Sequence, residues 1–253
     1  MKLSVILPVR NQTDKLLKNI KEKIIPFFDE SKIVYDIVIC SDGSSEEEEK
    51  KLEEGLKELP MQVKHVPYSE KRGKGLGVKR GILFSKSDYC LFMDADLSTD
   101  LSAFNVMKDH LKDADAFIGS RELKESKITE KQTFVRRLTH FGSIAIIKMM
   151  FHFKGISDTQ CGFKMFRTDV AKVMASRQTI DGFAFDVEYL YFLKLNGFKT
   201  VEVPVIWEND ADSSVSAFSS SVKFFKSLFK IKHHKKNYIL SEEEKKKLAR
   251  KGE

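Results

Sequence analysis

The sequence predicts an α/β fold with a mostly parallel central sheet, and three observations predict it. Short apolar runs alternate with longer stretches of helical periodicity between residues 3 and 119. The runs are apolar throughout instead of alternating, as in strands that are buried on both faces. Each run stops at a polar or glycine-containing turn, which suits right-handed strand–helix–strand crossovers.

The elements follow one another regularly along the chain. Pro8 ends the first apolar run, and Thr13 is placed to cap the helix after it. Glutamates that start at Glu46 crowd the first turn of another helix, where they complement its dipole. Strands are expected at 3–7, 34–40, 61–66, 89–93, 116–119 and 201–207, with one more that ends at 166. Helices are expected at 13–27, from 46, after the turn at 73–77, at 101–111, at 134–153, from 169 and at 183–195.

Two carboxylates stand at the end of one of these strands. Residues 91–93 are large and apolar, and they run directly into Asp94 and Asp96, with Ser98 close behind. Carboxylates this close repel each other and are costly to desolvate unless a cation lies between them. Oxygen ligands suit Mg²⁺ or Mn²⁺, ions that usually also hold substrate phosphates. A solvated turn is the alternative interpretation, because Asp-x-Asp pairs are common in loops.

Other polar motifs also follow strand ends. Asn11, Asp42 and Arg121 each come after a predicted strand, as the acidic pair does. The Gly73-Lys74-Gly75 turn opens a helix, where free backbone N–H groups can meet a phosphate, although it does not match G-x-x-x-x-G-K-[ST]. Ligands of open α/β sheets bind beyond the carboxyl ends of the strands, so we expect these loops to converge on one site.

The composition limits the partners. A formal charge of +7 favours nucleotides, phosphates or an anionic membrane face. Nucleic acid is disfavoured, because the basic residues match no recognised nucleic-acid-binding motif. Cys40, Cys90 and Cys161 lack metal-ligand spacing, as expected for reduced, mostly buried thiols of a cytosolic protein. The N-terminal apolar run is too short for a signal peptide, and no run is long enough to span a bilayer.

The C-terminal part mixes apolar and basic residues. A helix after residue 216 places Phe218, Val222, Phe225 and Phe229 on one face and lysines on the other. This pattern is typical of a segment that lies on an anionic membrane surface, and equally of a terminal helix docked on the core. We expect the charge-rich residues 233–253 to be frayed or exposed.

Six short motifs follow one another along the chain. They are Val5-Ile6-Leu7-Pro8-Val9-Arg10-Asn11, Asp42-Gly43-Ser44, Gly73-Lys74-Gly75, Asp94-Ala95-Asp96-Leu97-Ser98, Gly119-Ser120-Arg121 and Asp158-Thr159-Gln160-Cys161-Gly162-Phe163-Lys164. Together they resemble the inverting family 2 glycosyltransferases, which have the GT-A fold of Rossmann-like nucleotide-diphospho-sugar transferases. The sequence most resembles the branch that includes dolichyl-phosphate β-glucosyltransferases, polyprenyl-phosphate mannosyl- and glucosyltransferases, and related dolichol-phosphate mannosyltransferases. The last motif is more similar to the glucosyl members, and the resemblance covers residues 2–207.

The resemblance implies a nucleotide-sugar site with a divalent metal, and UDP-glucose as the donor. Asp94 would hold the sugar or ribose region, and Asp96 of this DXD motif would hold the Mg²⁺ or Mn²⁺ that bridges the diphosphate. The residues implied at the nucleotide are Pro8, Asn11, Asp42, Lys74 and Asp94, and those implied in catalysis are Asp94, Asp96 and Asp186.

The acceptor decides whether a general base is needed. A sugar hydroxyl must lose its proton, for which Asp186 or Glu188 is the candidate. A phosphate monoester carries about −1.5 to −2 charge and attacks without a base, but it needs cations to hold it. Arg121, Arg136 and Arg137 are the candidates for that role. We favour a polyprenyl-phosphate acceptor.

Two alternatives stay open. One is transfer to a glycan or lipid hydroxyl in cell-surface polysaccharide synthesis. The other is a nucleotide-sugar-binding or membrane-adaptor protein without catalysis, suggested by Gln12 and Ser41, where the family usually has acids. These expectations divide the chain into a catalytic domain of 1–212 and a basic, amphipathic tail of 213–253. The protein is expected in the cytoplasm, peripheral to a membrane and without a transmembrane segment.

Overall fold

The central element is a seven-stranded sheet in the order β3-β2-β1-β4-β7-β5-β8. The structure, a computed structural model, describes residues 1–129, 134–208 and 217–250, without the side chains of 134–141 and 217–221. The strands are β1 Lys2–Val9, β2 Val34–Ser41, β3 Val63–Val66, β4 Tyr89–Met93, β5 Ala116–Ser120, β6 Lys127–Ile128, β7 Phe163–Arg167, β8 Thr200–Pro204 and β9 Ile206–Trp207. β7 is antiparallel to both of its neighbours and the other pairs are parallel, so the predicted α/β fold is confirmed.

The helices cover both faces of this sheet. They are α1 Thr13–Asn19, α2 Ile25–Glu30, α3 Glu46–Leu56, α4 Lys74–Phe84, α5 Ala103–Asp109, α6 Phe134–Phe151, α7 Thr168–Ser176, α8 Phe185–Asn196, α9 Ala217–His233, α10 Lys235–Tyr238 and α11 Glu242–Leu248. Strand residues alternate between the two layers. Ile6, Val38 and Phe92 pack with α4, α7, α8 and α9, whereas Leu7 and Ile39 pack with α1, α2 and α5.

Several boundaries differ from the sequence prediction for identifiable reasons. β1 continues through Pro8 to Val9, because it pairs with β4 only as far as Ile6 and the missing N–H lies beyond that ladder. The first helix is broken by a π-helical turn, Ile20–Ile24, just before Pro26. The single strand expected at 201–207 is two strands, since β8 pairs with β5 and β9 pairs with β6 in a second sheet.

The charge-rich residues 233–253 were expected to be frayed or exposed. Most of the described residues 233–250 are exposed, but they are not frayed, because they form α10 and α11. Ser241 forms a capping box with Glu244 at the start of α11, and Leu248 is buried. Arg250 donates hydrogen bonds to the carbonyl oxygens of residues 111, 112 and 114. These contacts hold the end of the chain against the loop before β5. The predicted boundary between residues 212 and 213 lies outside the described residues.

The basic helix α9 docks one face on the core. Leu228 and Ile231 are fully buried, and Phe225 is partly buried against the same core. Val222 and Phe229 instead point outward, and Phe229 is 67% exposed. The apolar stripe read from the sequence therefore splits between two faces. No helix in the described part of the chain is long and apolar enough to cross a membrane.

Candidate active site

The acidic pair lies directly after β4, in the middle of the sheet. The Asp94 amide donates to the carbonyl of Gly162, 3.0 Å away, which fixes the turn beside the end of β7. Asp96 Oδ1 accepts hydrogen bonds from the Ser98 amide (2.9 Å) and hydroxyl (2.8 Å). Leu97 between them has φ +57°, the left-handed region that turns the chain sharply. The Asp94 backbone and the Asp96 carboxylate are thus fixed at the carboxyl edge of the sheet.

Lys74 joins the glycine-rich turn to this acidic pair. It is the first residue of α4, and its Nζ forms an ion pair with Asp94 Oδ1. Burial by itself lowers the pKa of Lys74, but the surrounding carboxylates, Asp94 foremost, outweigh it and leave the pKa above its usual value. Lys74 therefore stays charged beside the acidic pair.

A second lysine close to Lys74 forms a buried ion pair. Lys164 in β7 donates to Asp186 Oδ1 and to the Cys161 carbonyl, both at 2.6 Å. The Nζ atoms of Lys164 and Lys74 lie 5.4 and 5.6 Å from the centre of the Phe92 ring. Burial raises the pKa of Asp186, and the two lysines oppose this rise without cancelling it. Asp186 belongs to the site, but its carboxylate is bound inside the protein.

Gly162 is the point of closest approach to Asp94. A Cβ atom at this position would lie 1.9 Å from Asp94 Oδ2 and 2.6 Å from its Cγ. The Cys-Gly-Phe part of the sixth motif thus has a steric purpose: only glycine leaves room for the carboxylate.

Gly162→Ala is expected to displace the Asp94 carboxylate and reduce activity on the order of 100-fold, since small misplacements of positioning groups have effects of this size. Gly182→Ala is the matched control, because a Cβ there meets nothing within 4 Å. Steady-state transfer rates of the two variants check the prediction. Equal activity in both would contradict the role given to Gly162.

The motifs that follow β1 and β2 lie at the same carboxyl edge of the sheet. Asp42 Oδ1 accepts from the amides of Arg72 and Gly73, both at 2.9 Å, so it links the end of β2 to the turn that carries Lys74. Asn11 has φ +49°, and its Oδ1 accepts from the Ser45 amide at 2.8 Å. Pro8 faces α4 across Gly77, where an added Cβ would lie 3.3 Å from the Pro8 Cβ.

Arg121 is bound to a buried carboxylate on the opposite side. Its Nε and Nη2 donate to Asp158 Oδ2 (2.7 Å) and Oδ1 (3.0 Å), and Asp158 is fully buried. Burial raises the pKa of Asp158, but Arg121 and nearby backbone amides outweigh it and hold the pKa well below its usual range. The guanidinium also lies 5.5 Å from the Trp207 ring.

Some predicted residues are not brought to the site by the described structure. The side chains of Arg136 and Arg137 in α6 lie outside the described residues. Glu188, the second candidate base, is 1% exposed and its carboxylate is occupied by internal hydrogen bonds.

Sequence reasoning assigned no role to Asp158, Lys164 or Glu202. Glu202 accepts hydrogen bonds from the amides of Ser157 (2.9 Å) and Asp158 (2.8 Å), and so it fixes the backbone that carries the Asp158 partner of Arg121. Two of these residues could have been found from the sequence. Lys164 in β7 and Glu202 in β8 are charged residues among apolar strand residues, and a charged residue in a buried strand needs a buried partner.

The donor set of the acidic pair fits a divalent cation. Asp94 and Asp96 provide carboxylate oxygens at the rim, and the Asp94 side chain keeps 36% of its surface exposed. Mg²⁺ and Mn²⁺ are commonly held by one or two carboxylates together with water and substrate phosphates. No group of three or more His, Cys, Asp or Glu side chains suited to a metal occurs among the described residues. An ion here would therefore take further ligands from the substrate.

Solved structures place this fold among the GT-A glycosyltransferases. One similar structure is glucosyl-3-phosphoglycerate synthase from Mycobacterium tuberculosis in complex with Mn²⁺, UDP and phosphoglyceric acid (TM-score 0.64, 13% identity, 95% of this chain and 80% of that chain). Another is mannosyl-3-phosphoglycerate synthase from Rubrobacter xylanophilus (TM-score 0.65, 15% identity, 100% of this chain and 78% of that chain). At these identities the likeness concerns the fold alone.

The sequence identifies the family within that class. The family model for Glycosyl transferase family 2 matches residues 4–174, and the chain belongs to this family. It is 34% identical to a dolichyl-phosphate beta-glucosyltransferase of Dictyostelium discoideum, over 91% of this chain and 73% of that protein. A protein of the same name in Saccharomyces cerevisiae is 28% identical, over 89% of this chain and 72% of that protein. The protein is a glycosyltransferase, as the motifs predicted.

Proposed function

We propose that the protein transfers glucose from UDP-glucose to a polyprenyl phosphate of the dolichyl type, with inversion at the sugar carbon. The observation that carries this proposal is the 34% identity, along 91% of the chain, to a protein named dolichyl-phosphate beta-glucosyltransferase. The arrangement of charged side chains around the end of β4 supports it.

The donor would lie along the edge formed by β1, β2 and β4. Asp42, Asn11 and the turn that holds Lys74 lie at this edge and would surround the nucleotide, and Asp94 and Asp96 would lie beside its diphosphate. When bound to the acidic pair, Mg²⁺ or Mn²⁺ would act as a Lewis acid that neutralises charge on the leaving diphosphate. Lys74, which is paired with Asp94, would stabilise the same charge as a preorganised cation.

The state of Asp186 favours a phosphate acceptor over a hydroxyl acceptor. A hydroxyl needs a general base within hydrogen-bond reach, and Asp186 is 4% exposed with its Oδ1 bound to Lys164. A phosphate needs no base, only cations that hold it. Arg121 supplies such a cation, since Asp158 fixes its orientation through Nε and Nη2 and its side chain remains 13% exposed.

The test combines binding with transfer. Thermal unfolding in the presence of Mn²⁺ should be shifted selectively by UDP-glucose, because a ligand bound to the folded state stabilises it by mass action. Labelled glucose should then appear on polyprenyl phosphate and not on unphosphorylated polyprenol. A shift with GDP-mannose alone would overturn the donor, and transfer to polyprenol would overturn the acceptor. Nucleotide-sugar binding without any transfer would support the non-catalytic alternative.

The acceptor implies contact with an anionic membrane, and the outer face of α9 suits that contact. Phe229 is 67% and Val222 47% exposed, and exposed lysines flank them at 223, 226 and 230. Lys232 lies 5.6 Å from the Phe151 ring, so this face adjoins the end of α6, where Met149 is 69% exposed. Exposed apolar anchors among lysines are typical of helices that bind anionic lipid surfaces. On this basis we propose that the protein binds at a membrane surface.

Phe229→Ser is expected to weaken co-sedimentation with vesicles that contain anionic phospholipid about tenfold, since one aromatic anchor is lost from the surface. Met61→Ser is the control, because Met61 is 96% exposed but belongs to the turn just before β3 and not to α9. Equal loss of vesicle binding in both variants would argue against α9 as the contact. The turnover of a water-soluble short-chain polyprenyl phosphate should not change in either variant.

A further inference from the structure

One buried carboxylate has no part in the chemistry described above. Glu188 in α8 is 1% exposed, and within the described residues it forms no ion pair. Its Oε1 accepts from the Thr179 amide (2.7 Å), the Thr179 hydroxyl (2.8 Å) and the Tyr238 hydroxyl (2.6 Å). Its Oε2 accepts from the Ile180 amide at 3.0 Å. A buried charge without a cation is costly, so four donors converge on it to hold it in place.

These bonds join two parts of the chain that are far apart in sequence. Thr179 and Ile180 belong to the segment 178–181 between α7 and α8, and Tyr238 ends α10 near the C-terminus. Burial and the Glu188 carboxylate raise the pKa of Tyr238, so its hydroxyl stays protonated and remains a donor. Glu188 therefore fastens the segment 178–181 to the C-terminal helices.

The same segment forms the support of the glycine-rich turn. Gln178 Nε2 donates to the Gly75 carbonyl at 2.9 Å, and the Leu76 amide donates to the Asp181 carbonyl at 3.1 Å. Arg72 on the turn also pairs with Asp181 at 3.1 Å. The turn and the segment are thus hydrogen-bonded on both sides of Lys74.

Steric contacts make this support rigid. A Cβ at Gly73, where φ is +134°, would lie 2.5 Å from the Asp181 carbonyl oxygen. A Cβ at Gly75 would lie 2.8 Å from the Ile180 carbonyl oxygen and 2.7 Å from the Phe185 Cβ. Because the two backbones touch directly, a shift of the segment has to move the turn, and Lys74 with it.

We propose that Glu188 is a positioning residue, which sets the position of the Lys74 turn against Asp94 by bracing the segment 178–181 between α8 and Tyr238. The inference rests on the proposed function only in its expectation that this turn binds the donor. The C-terminal helices then have a role in donor binding, although they lie far along the chain from every donor-site motif.

The chemistry explains why the residue is a glutamate. An ionised carboxylate is an acceptor at both oxygens, and all four groups that face Glu188 are donors. In Glu188→Gln an amide NH₂ would meet at least one of these donors, so the bracing would fail locally while the side-chain volume stays the same. Tyr238→Phe removes a single hydroxyl and is the milder variant.

The experiment measures KM for the donor, KM for the acceptor, kcat, and hydrogen exchange of the Leu76 amide. Glu188→Gln is expected to raise the donor KM on the order of tenfold and Tyr238→Phe about threefold, with the acceptor KM unchanged. The Leu76 amide should exchange faster in both variants, since its bond to Asp181 loosens. The dissociation constant of UDP with Mn²⁺ should rise in parallel with the donor KM.

Glu202→Gln is the matched control, because Glu202 also accepts several buried hydrogen bonds, from Ser157 and Asp158, but on the Arg121 side. It should leave the donor KM and the Leu76 exchange unchanged. A merely structural Glu188 would lower kcat through loss of folded protein with KM values intact, and that result would overturn the inference.

Two further outcomes separate failure of the bracing from misfolding of a variant and from failure of the proposed function. Unchanged donor KM and Leu76 exchange in Tyr238→Phe would overturn the inference even if Glu188→Gln fails to fold. If the unmodified protein binds no nucleotide sugar, the proposed function fails, whereas the exchange of the Leu76 amide still tests the bracing.

Discussion

Asp96→Ala is expected to lower metal-dependent sugar transfer on the order of 1,000-fold or more. The expected loss follows from the position of Asp96 at the rim of the sheet, where Ser98 fixes its Oδ1 through two hydrogen bonds. Without this carboxylate, the divalent cation that stabilises the leaving diphosphate would lose a protein ligand, and such stabilisation amounts to several kcal/mol. Transfer rates at saturating UDP-glucose, measured over a series of Mn²⁺ concentrations, check the prediction.

Asp100→Ala is the control for this experiment. Asp100 is exposed in the same loop, and its side chain accepts only a hydrogen bond from the Ser102 amide among the contacts described. Its removal should change the rate less than threefold. Retained turnover in Asp96→Ala at any Mn²⁺ concentration would remove Asp96 from the metal site, whatever its effect on stability.

Arg121→Ala is expected to reduce the free energy of unfolding by about 3–5 kcal/mol at neutral pH, because it leaves a buried carboxylate without its cation. Asp158 is fully buried, so its carboxylate would lose the cation that offsets the cost of its desolvation. Acceptor turnover should fall as well, since the proposed phosphate contact disappears. Urea unfolding of the variant and of Arg121→Ala/Asp158→Asn separates the two effects: the double variant should recover part of the stability and none of the activity.

The contribution of the Arg121–Asp158 pair to the free energy of unfolding also depends on pH, and it decreases in acid. The pKa of Asp158 is held below its usual range in the folded protein, so the pair stabilises the fold above about pH 4, the ordinary aspartate value. The stabilisation is lost as pH falls further toward the depressed value. The difference between the unmodified protein and Arg121→Ala should therefore shrink below about pH 4. A difference that grows in acid would contradict the assignment.

Much of the candidate site could be predicted because its residues follow strand ends. Apolar runs revealed where β1, β2, β4 and β5 stop, and parallel strands bring their carboxyl ends to one edge. The positions of Asn11, Asp42 and Asp94 followed from that rule alone. The partners of these residues did not follow, since Asp42 binds the amides of Arg72 and Gly73, thirty residues away in sequence.

The tail is the clearest case in which local pattern was insufficient. Its charge suggested frayed residues, yet Tyr238, Leu240 and Leu248 are buried and Arg250 is bound to the loop before β5. Periodicity indicated the helix α9 correctly but could not tell which apolar residues face the core. That choice depends on the surface α9 meets, which other segments of the chain provide.

The α/β class, the family and the acidic pair at the end of β4 could be recognised from local patterns, because strand ends and short motifs are local properties. The pairing of charges depends on the three-dimensional fold, in which Lys74 pairs with Asp94, Lys164 with Asp186 and Arg121 with Asp158. Burial makes an unpaired charge costly, so these pairings are set by three-dimensional proximity in a low-dielectric interior. The spacing of these residues along the chain does not indicate which of them lie close together in the folded protein.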